Sequence, residues 1–392
     1  MLEKIRIAFI IVSLGICAGL GAHYLLDRES GILVERPLSV QIPEGGIQTD
    51  AFGLRLLQTT MEKEPGASCL VSPFLVSETM LALKELAKDP IRQDIDKLGI
   101  GDYLAAHTSA PDMNITLAAD YGLTFTDAQN SELIMRLPFR TDLPMAMSLF
   151  NGSLGQGDIG PQSVIVGSDF LTRNTKFIAG LYADFTPRLQ TPFLAGDSIV
   201  SEFENANGSL PKVCMMRLRA NVRYAKDSNG DWEAVAILLK PDLQAEGEPT
   251  AFIAILPTGR AEKMAASLTS EQLGSIRKAL AEATPSDCRV ELPQMRWTLP
   301  TRNLESILRS LGLGKLFDLS ESNWTFTDRK LGLDAMPEKI GITLTHEQKA
   351  TEQQGGIENA ASVICFNRPF IWLIGDLTTN TPAYYIGLVQ NL

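Results

Sequence analysis

The chain has 392 residues, 45% hydrophobic and 21% charged, which excludes a disordered or low-complexity protein and provides core for one large or two medium domains. Its 35 basic and 46 acidic side chains leave a formal net charge of −11, and no basic block offsets it, so a nucleic-acid partner is excluded. The five cysteines, Cys17, Cys69, Cys214, Cys288 and Cys365, stand singly without a CxxC spacing, which removes zinc-binding and thioredoxin-like readings.

The first element is an apolar run from Ile7 to Leu26, behind Lys4 and Arg6. Roughly 20 residues is the length of a bilayer-spanning helix, and the basic flank predicts a cytoplasmic N-terminus with the body exported. No small-x-small cleavage site closes the run, which favours a retained signal-anchor over residues 1–26. The alternatives are a cleaved signal peptide, with "AGLGA" as the cut region, and a lipoprotein signal at Cys17, which the bulky Ile16 disfavours. All three place the body outside the cytoplasm. Residues 27–49 carry Pro37, Pro43, Gly45 and Gly46 and read as a linker.

The body, 50–392, opens with "DAFGLRLLQTTMEK", in which Phe52 and Leu56 recur at helical spacing. In "CLVSPFLVSETMLALKELA", Ser72 followed by Pro73 predicts a capped helix start. The middle is strand-rich, with "VIVGSDFLT" (164–172) the most apolar of several short runs. "NVRYAKDSNGDWEAVAILLK" reads as two strands around a "DSNGD" turn, and "TAFIAILP" as a buried strand. "SLTSEQLGSIRKALAEA" is a helix starting at Thr269 or Ser270, the serine being well placed to cap it. "CRVELPQMRW", a helix "RNLESILRSLGLGKLF" and the final strands complete the chain. Helices come mainly before the long β-rich stretch, and no regular βαβ repeat appears, so the class is α+β. Outside the leader, Cys69, Cys214, Cys288 and Cys365 either pair or are buried thiols.

Short motifs carry little chemistry. "GQGDIG" (Gly155, Gly157, Gly160) is followed by Pro161 and lacks the helix that a phosphate-binding loop requires. The histidines are His23, His107 and His346. A Ser/His/Asp hydrolase would have to use His107, which sits in a loop-like segment with no nucleophile elbow in sight. "SIRK" (Ser275 to Lys278) is a chance SxxK on a helix. Asn114, Asn151, Asn207 and Asn323 form N-x-S/T sequons. No metal or cofactor site and no catalytic residue is expected.

Taken in order, "DAFGLRLLQ", "CLVSPFLVSETMLAL", "KVCMMRLRANVRYAKD", "AFIAILP", "VELPQMRW", "LESILRSLGLGKLF" and "FNRPFIWLIGD…YYIGLVQNL" resemble the serpin family across residues 50–392. The resemblance implies a large central mixed β-sheet with smaller sheets, N-terminal helices packed on it, and a protruding reactive loop. It also implies burial of Phe52, Leu56, Leu70, Phe252, Ile255, Leu308, Phe317, Phe370 and Leu373. In inhibitory members a protease cuts the loop, which then inserts into the sheet and traps the protease as an acyl-enzyme. On the same alignment the third strand of that sheet falls near Gly167 or Ser168, where the family has an asparagine.

The resemblance places the loop at 346–365, a polar excursion in "ITLTHEQKATEQQGGIENAAS" between two strand-like stretches. Gln348 takes the family's hinge glycine and Lys349 its small Thr or Ser. Thr351, Glu352, Gln353 and Gln354 take its alanines, and Glu338 stands where the family has a histidine. An inserted strand would face Lys349, Thr351 and Gln353 into the core, where an unpaired ammonium or amide is costly. Counting from either side places the scissile bond within Glu358, Asn359, Ala360, Ala361 and Ser362. The expectation is a non-inhibitory serpin-fold protein with a binding or accessory role, membrane-tethered through residues 7–26, whose loop meets a protease or other protein partner. The alternative is an inhibitor of extracytoplasmic serine-type endopeptidases.

Overall fold

The structure, a computed structural model, describes residues 49–100, 113–126, 130–155, 164–240, 250–320, 322–347, 356–377 and 382–392. These lie within one compact unit, Ser39–Leu392. The apolar leader, most of the linker, His107 and most of the "GQGDIG" stretch lie outside the described residues.

Seven helices and fifteen strands are described. The helices are α1 (Thr49–Lys63), α2 (Pro73–Leu86), α3 (Asp89–Asp96), α4 (Leu143–Leu154), α5 (Ala261–Ser267), α6 (Ser270–Glu282) and α7 (Glu305–Ser310). The strands are β1 (Cys69–Val71), β2 (Met113–Asp120), β3 (Met135–Leu137), β4 (Phe177–Phe185), β5 (Ile199–Glu202), β6 (Lys212–Lys226), β7 (Trp232–Leu238) and β8 (Thr250–Pro257). They continue with β9 (Ser286–Pro293), β10 (Met295–Thr298), β11 (Arg302–Asn303), β12 (Pro337–Leu344), β13 (Ser362–Cys365), β14 (Phe370–Asp376) and β15 (Tyr385–Val389). One sheet runs β1-β15-β14-β8-β7-β6-β9-β13, with β5 added on β6; the second runs β10-β12-β4-β2-β3, with β11 added on β12.

Local signals explain the helix starts. The Ser72 hydroxyl accepts from Leu75 N (3.3 Å) and donates to Tyr384 O (2.7 Å), so one side chain caps α2 and ties it to the C-terminal segment. The start of α6 is set by Thr269 and not by Ser270. Thr269 exchanges hydrogen bonds with Gln272 in a capping box, which Ser270 is one residue too late to form. The stretch 302–317 is not one helix. β11 precedes α7, and Gly312 (φ +93°) ends that helix in a left-handed turn before a 3₁₀ turn at Gly314–Phe317.

The largest correction falls at 164–172. This apolar run is not a strand, and Gly167 and Ser168 lie in no sheet. The strand beside β12 is β4. The amides of Ile165 and Val166 donate instead to Asn151 Oδ1 on α4 (2.8 and 2.7 Å), and Ile165, Val166 and Leu171 bury against Phe150 and Leu154. Hydrophobicity alone does not distinguish such a packed loop from a strand. The same two side chains, Phe150 and Leu154, meet β4, where a Cβ on Gly180 would approach the Phe150 ring to 2.6 Å. The helix lies that close because residue 180 has no side chain.

The nine expected core residues are all buried, none more than 5% exposed. Trp372 stacks on Phe252 with centroids 5.7 Å apart and meets Trp297 of the facing sheet at 6.2 Å, which ties the two sheets through one aromatic cluster. Cys69, Cys214, Cys288 and Cys365 are free thiols. Burial pushes the Cys69 and Cys288 thiols up to about 11 and that of Cys365 up to about 12, which keeps them protonated and unreactive at neutral pH.

Candidate functional site

The loop leaves from β12 and returns as β13. The hinge positions Gln348, Lys349, Thr351 and Gln353 lie outside the described residues; both flanks are described.

On the upstream side β12 pairs directly and in parallel with β4, from Glu338↔Leu181 to Ile342↔Phe185. The slot that an inserting loop would occupy is therefore closed by backbone hydrogen bonds. Above this ladder, Glu347 N donates to Phe193 O (2.8 Å) and Ala195 N donates to Glu347 O (3.3 Å). The Glu347 carboxylate lies 3.6 Å from Lys240 Nζ, and His346 Nδ1 is 3.3 Å from Ser198 Oγ. Below it, Asp334 accepts from the amides of Lys176 (2.6 Å) and Phe177 (2.9 Å), joining the approach to β12 to the start of β4. Burial pushes the Asp334 carboxyl above its ordinary range, and these two amides work against that rise.

Glu338, where the family resemblance expects histidine, is fully buried. Arg302 on β11 reaches its Oε2 through Nε (2.9 Å) and Nη2 (2.7 Å), and Nη2 also donates to Leu70 O (3.0 Å). A buried carboxylate persists only when it is paired in this way. The pair ties β11 and β12 to β1.

The downstream side is held by charge. Gly356 (φ +69°) turns the chain into a 3₁₀ turn at Ile357–Asn359, with Ile357 buried beneath it. Arg217 Nη1 donates to Glu358 Oε1 (2.7 Å), and Arg289 pairs with Glu358 Oε2. Arg219 Nη1 donates to Gly356 O (2.6 Å) while its fork grips Asp287 through Nε and Nη2 (both 2.7 Å). Asp287 also accepts from Ala361 N (3.3 Å). Arg217, ahead of Arg289, holds the Glu358 carboxyl below the usual carboxylate range, and Arg219 does the same for Asp287. From Ser362 the chain runs parallel to β9, with Ser362 opposite Cys288 and Cys365 opposite Glu291. Of the expected scissile residues, Glu358, Asn359, Ala360 and Ala361 lie in this clamped turn, and Ser362 is the first residue of β13.

The sequence carries only part of this clamp. Arg217 and Arg219 are two apart on a strand and share a face, and Arg289 stands opposite Arg219 in the ladder. Like charges placed so are unfavourable without an acid between them; Glu358 and Asp287 supply it.

The remaining motifs show no catalytic arrangement among the described residues. Ser275 Oγ donates to Glu271 O (2.8 Å) on α6, and Lys278 pairs with Glu282. Among the described residues no group of three His, Cys, Asp or Glu could hold a metal ion. Of the sequons, Asn323 is buried, Asn114 lies within β2, the Asn151 amide is engaged by Met147 O and Val166 O, and Asn207 is in an exposed turn.

Comparison with known proteins agrees with this geometry. The family model described as "Serpin (serine protease inhibitor)" matches residues 163–391, more than half of the chain. Alpha-1-antitrypsin 1-5 of Mus musculus is 24% identical over 221 residues, covering 55% of this chain and 51% of that protein. Alpha-1-antiproteinase of Bos taurus is 25% identical over 229 residues, covering 56% and 52%. The chain spans about half the length of these curated relatives in the matched regions. Among solved structures, maspin superposes with a TM-score of 0.74 at 17% identity, covering 88% of this chain and 98% of that one. Uncleaved ovalbumin gives 0.72 at 14%, covering 89% and 100%. The family includes protease inhibitors and non-inhibitory members and does not consist of enzymes. With its ordered segments, two-sheet architecture and uninserted loop flanks, the chain belongs to the serpin family.

Proposed function

We propose that this protein is a non-inhibitory serpin, a binding or accessory module held at a membrane by residues 7–26 with its body outside the cytoplasm. The observation that carries the reading is a loop with unfavourable chemistry between two firm attachments. Upstream, Glu347 is stitched to Phe193 and Ala195 at the point where an inserting strand would have to enter. Downstream, Glu358 is held by Arg217 and Arg289 in the very segment a protease would need to extend through its active site. Between them the sequence places Gln348 and Lys349 where inhibitory serpins carry small residues. Insertion must outrun deacylation for trapping to succeed, so each feature favours a cut substrate over a trapped complex.

Inhibition of a serine-type endopeptidase is the second reading, favoured by the names of the relatives, which are antitrypsins, antiproteinases and serine protease inhibitors. Incubation with a panel of serine proteases separates the two. Cleaved chain without a denaturation-resistant complex is expected, and a stable covalent complex would reverse the assignment. Among the described residues no helix is long and apolar enough to cross a membrane, and the proposed anchor rests on the leader's sequence. Protease protection in membrane vesicles tests it: a body digested from the cytoplasmic side would be incompatible with the tethered, exported form.

A further inference from the structure

At the end of the second sheet remote from the loop, four segments meet around a cleft of about 460 Å³. They are the turn after β2, the turn after β3, the loop 172–176 before β4 and the loop 329–334 before β12. Five exposed cations line it: Arg140, Arg173, Lys176, Arg329 and Lys330. Their convergence is unusual in a chain of net charge −11.

Two carboxylates share the cleft, and neither forms an ion pair with the five cations. Asp120 accepts from the amides of Gly122 (2.8 Å) and Arg140 (3.0 Å), and Asp334 from those of Lys176 and Phe177. Each acid is turned to the backbone. None of the five cationic side chains forms an ion pair with a carboxylate among the described residues. Neighbouring Arg136 shows the contrast: its guanidinium is spent on the carbonyls of Tyr121 and Leu123 and on the Phe125 ring. A solvated basic face would be the ordinary outcome for surface charges. Here, however, cations from separate segments border one cavity whose acids are already engaged.

We propose that this cleft binds a compact anion bearing two or more phosphate groups. Three of the five cations are arginines, whose planar forks match phosphate oxygens in pairs, and the volume is that of a small-molecule site. An extended polyanion would have to cross the acid-rich remainder of the surface, which favours a compact ligand. Bound there, the anion would bridge the loop that leads into β4 and the loop that leads into β12. It would reinforce the lower end of the seam that Asp334 already closes.

The test is calorimetric titration of the full chain with inorganic tripolyphosphate, ATP and orthophosphate at about 150 mM salt, where weak surface attraction is largely screened. Saturable binding of tripolyphosphate or ATP is expected. It should weaken at least about tenfold in Arg173→Glu/Lys330→Glu, two lost charge-assisted contacts being ample for that factor. Tripolyphosphate matching ATP assigns recognition to the phosphates alone, whereas tighter ATP binding assigns a nucleotide; both support the site. Melting temperature without ligand should be unchanged in the variant and should rise less with ligand than in the parent protein. No saturable binding, undiminished binding in the variant, or orthophosphate binding as tightly as tripolyphosphate would overturn the proposal.

Discussion

The two strands that flank the loop are held by different physics. β12 has eight residues, is largely buried, and lies between β10 and β4 with Glu338 locked to Arg302 in the interior. β13 has four residues, ends its sheet, and pairs with β9 alone. Its approach is fixed by charges: the exposed Glu358 and the partly buried Arg217, Arg219, Arg289 and Asp287. The upstream strand is therefore part of the core, whereas the downstream turn rests on a charge cluster that salt and acid can loosen. A loop tied in this way should detach first at 356–361.

Truncating the buried flank should have the largest effect. Ile342→Ala in β12, a fully buried position, should cost about 4 kcal/mol in denaturant unfolding. Val363→Ala on β13, about half exposed, should stay within about 0.5 kcal/mol. Similar values for the two would erase the contrast between the flanks.

The ion pair comes next. Glu338→Ala leaves Arg302 buried without its carboxylate and should cost about 3 kcal/mol. The double variant Glu338→Leu/Arg302→Met should recover most of that loss, because a buried pair and its apolar replacement are often near-equal. Additive losses in the double variant would show that shape and not charge pairing dominates the site.

A smaller effect is expected at the clamp, visible as protease susceptibility more than as global stability. Cuts within 356–361, located by mass spectrometry, should accelerate several-fold in Arg217→Ala/Arg289→Ala. They should also accelerate in about 1 M salt, where the Debye length falls to about 3 Å. Acid should act in the same direction. Because the folded-state values of Glu358 and Asp287 are depressed, their contribution is fully present above the ordinary carboxylate range and is lost as pH falls through the lowered values. Susceptibility that ignores salt, acid and the arginine substitutions would mean the turn is held by Ile357 instead.

The smallest effect sharpens the functional reading. Cutting the chain between Glu358 and Val363 should leave the melting temperature nearly unchanged. Insertion would have to open the β12–β4 ladder and desolvate the Lys349 and Gln353 side chains. A large rise on cleavage would show that insertion wins. In that case the variant Lys349→Thr with Thr351, Glu352, Gln353 and Gln354 changed to Ala offers no further discrimination. Without such a rise in the parent, a rise in this variant identifies side-chain chemistry as the barrier. No rise in either points to the closed entrance at Glu347 or the altered pair at Glu338.

Sequence patterns located the core segments, the α2 cap at Ser72 and the β6–β7 turn because each follows from contacts within a few residues. They failed at 164–172, where the decisive partner was the Asn151 side chain on a different element. They also left the clamp unseen. Arg217, Asp287 and Glu358 are far apart in the chain, and only strand register brings them together.

By itself, the sequence determined the family segments and the composition of the hinge, and through the family resemblance the burial of the nine core positions, since side-chain polarity in ordered segments is sufficient for these. Only the tertiary structure decided that β4 closes on β12, that Glu338 finds its cation in Arg302, and that Glu358 is pinned between Arg217 and Arg289. The reason is that ion pairing and strand register depend on distances across the fold, and separation along the chain carries almost no information about them.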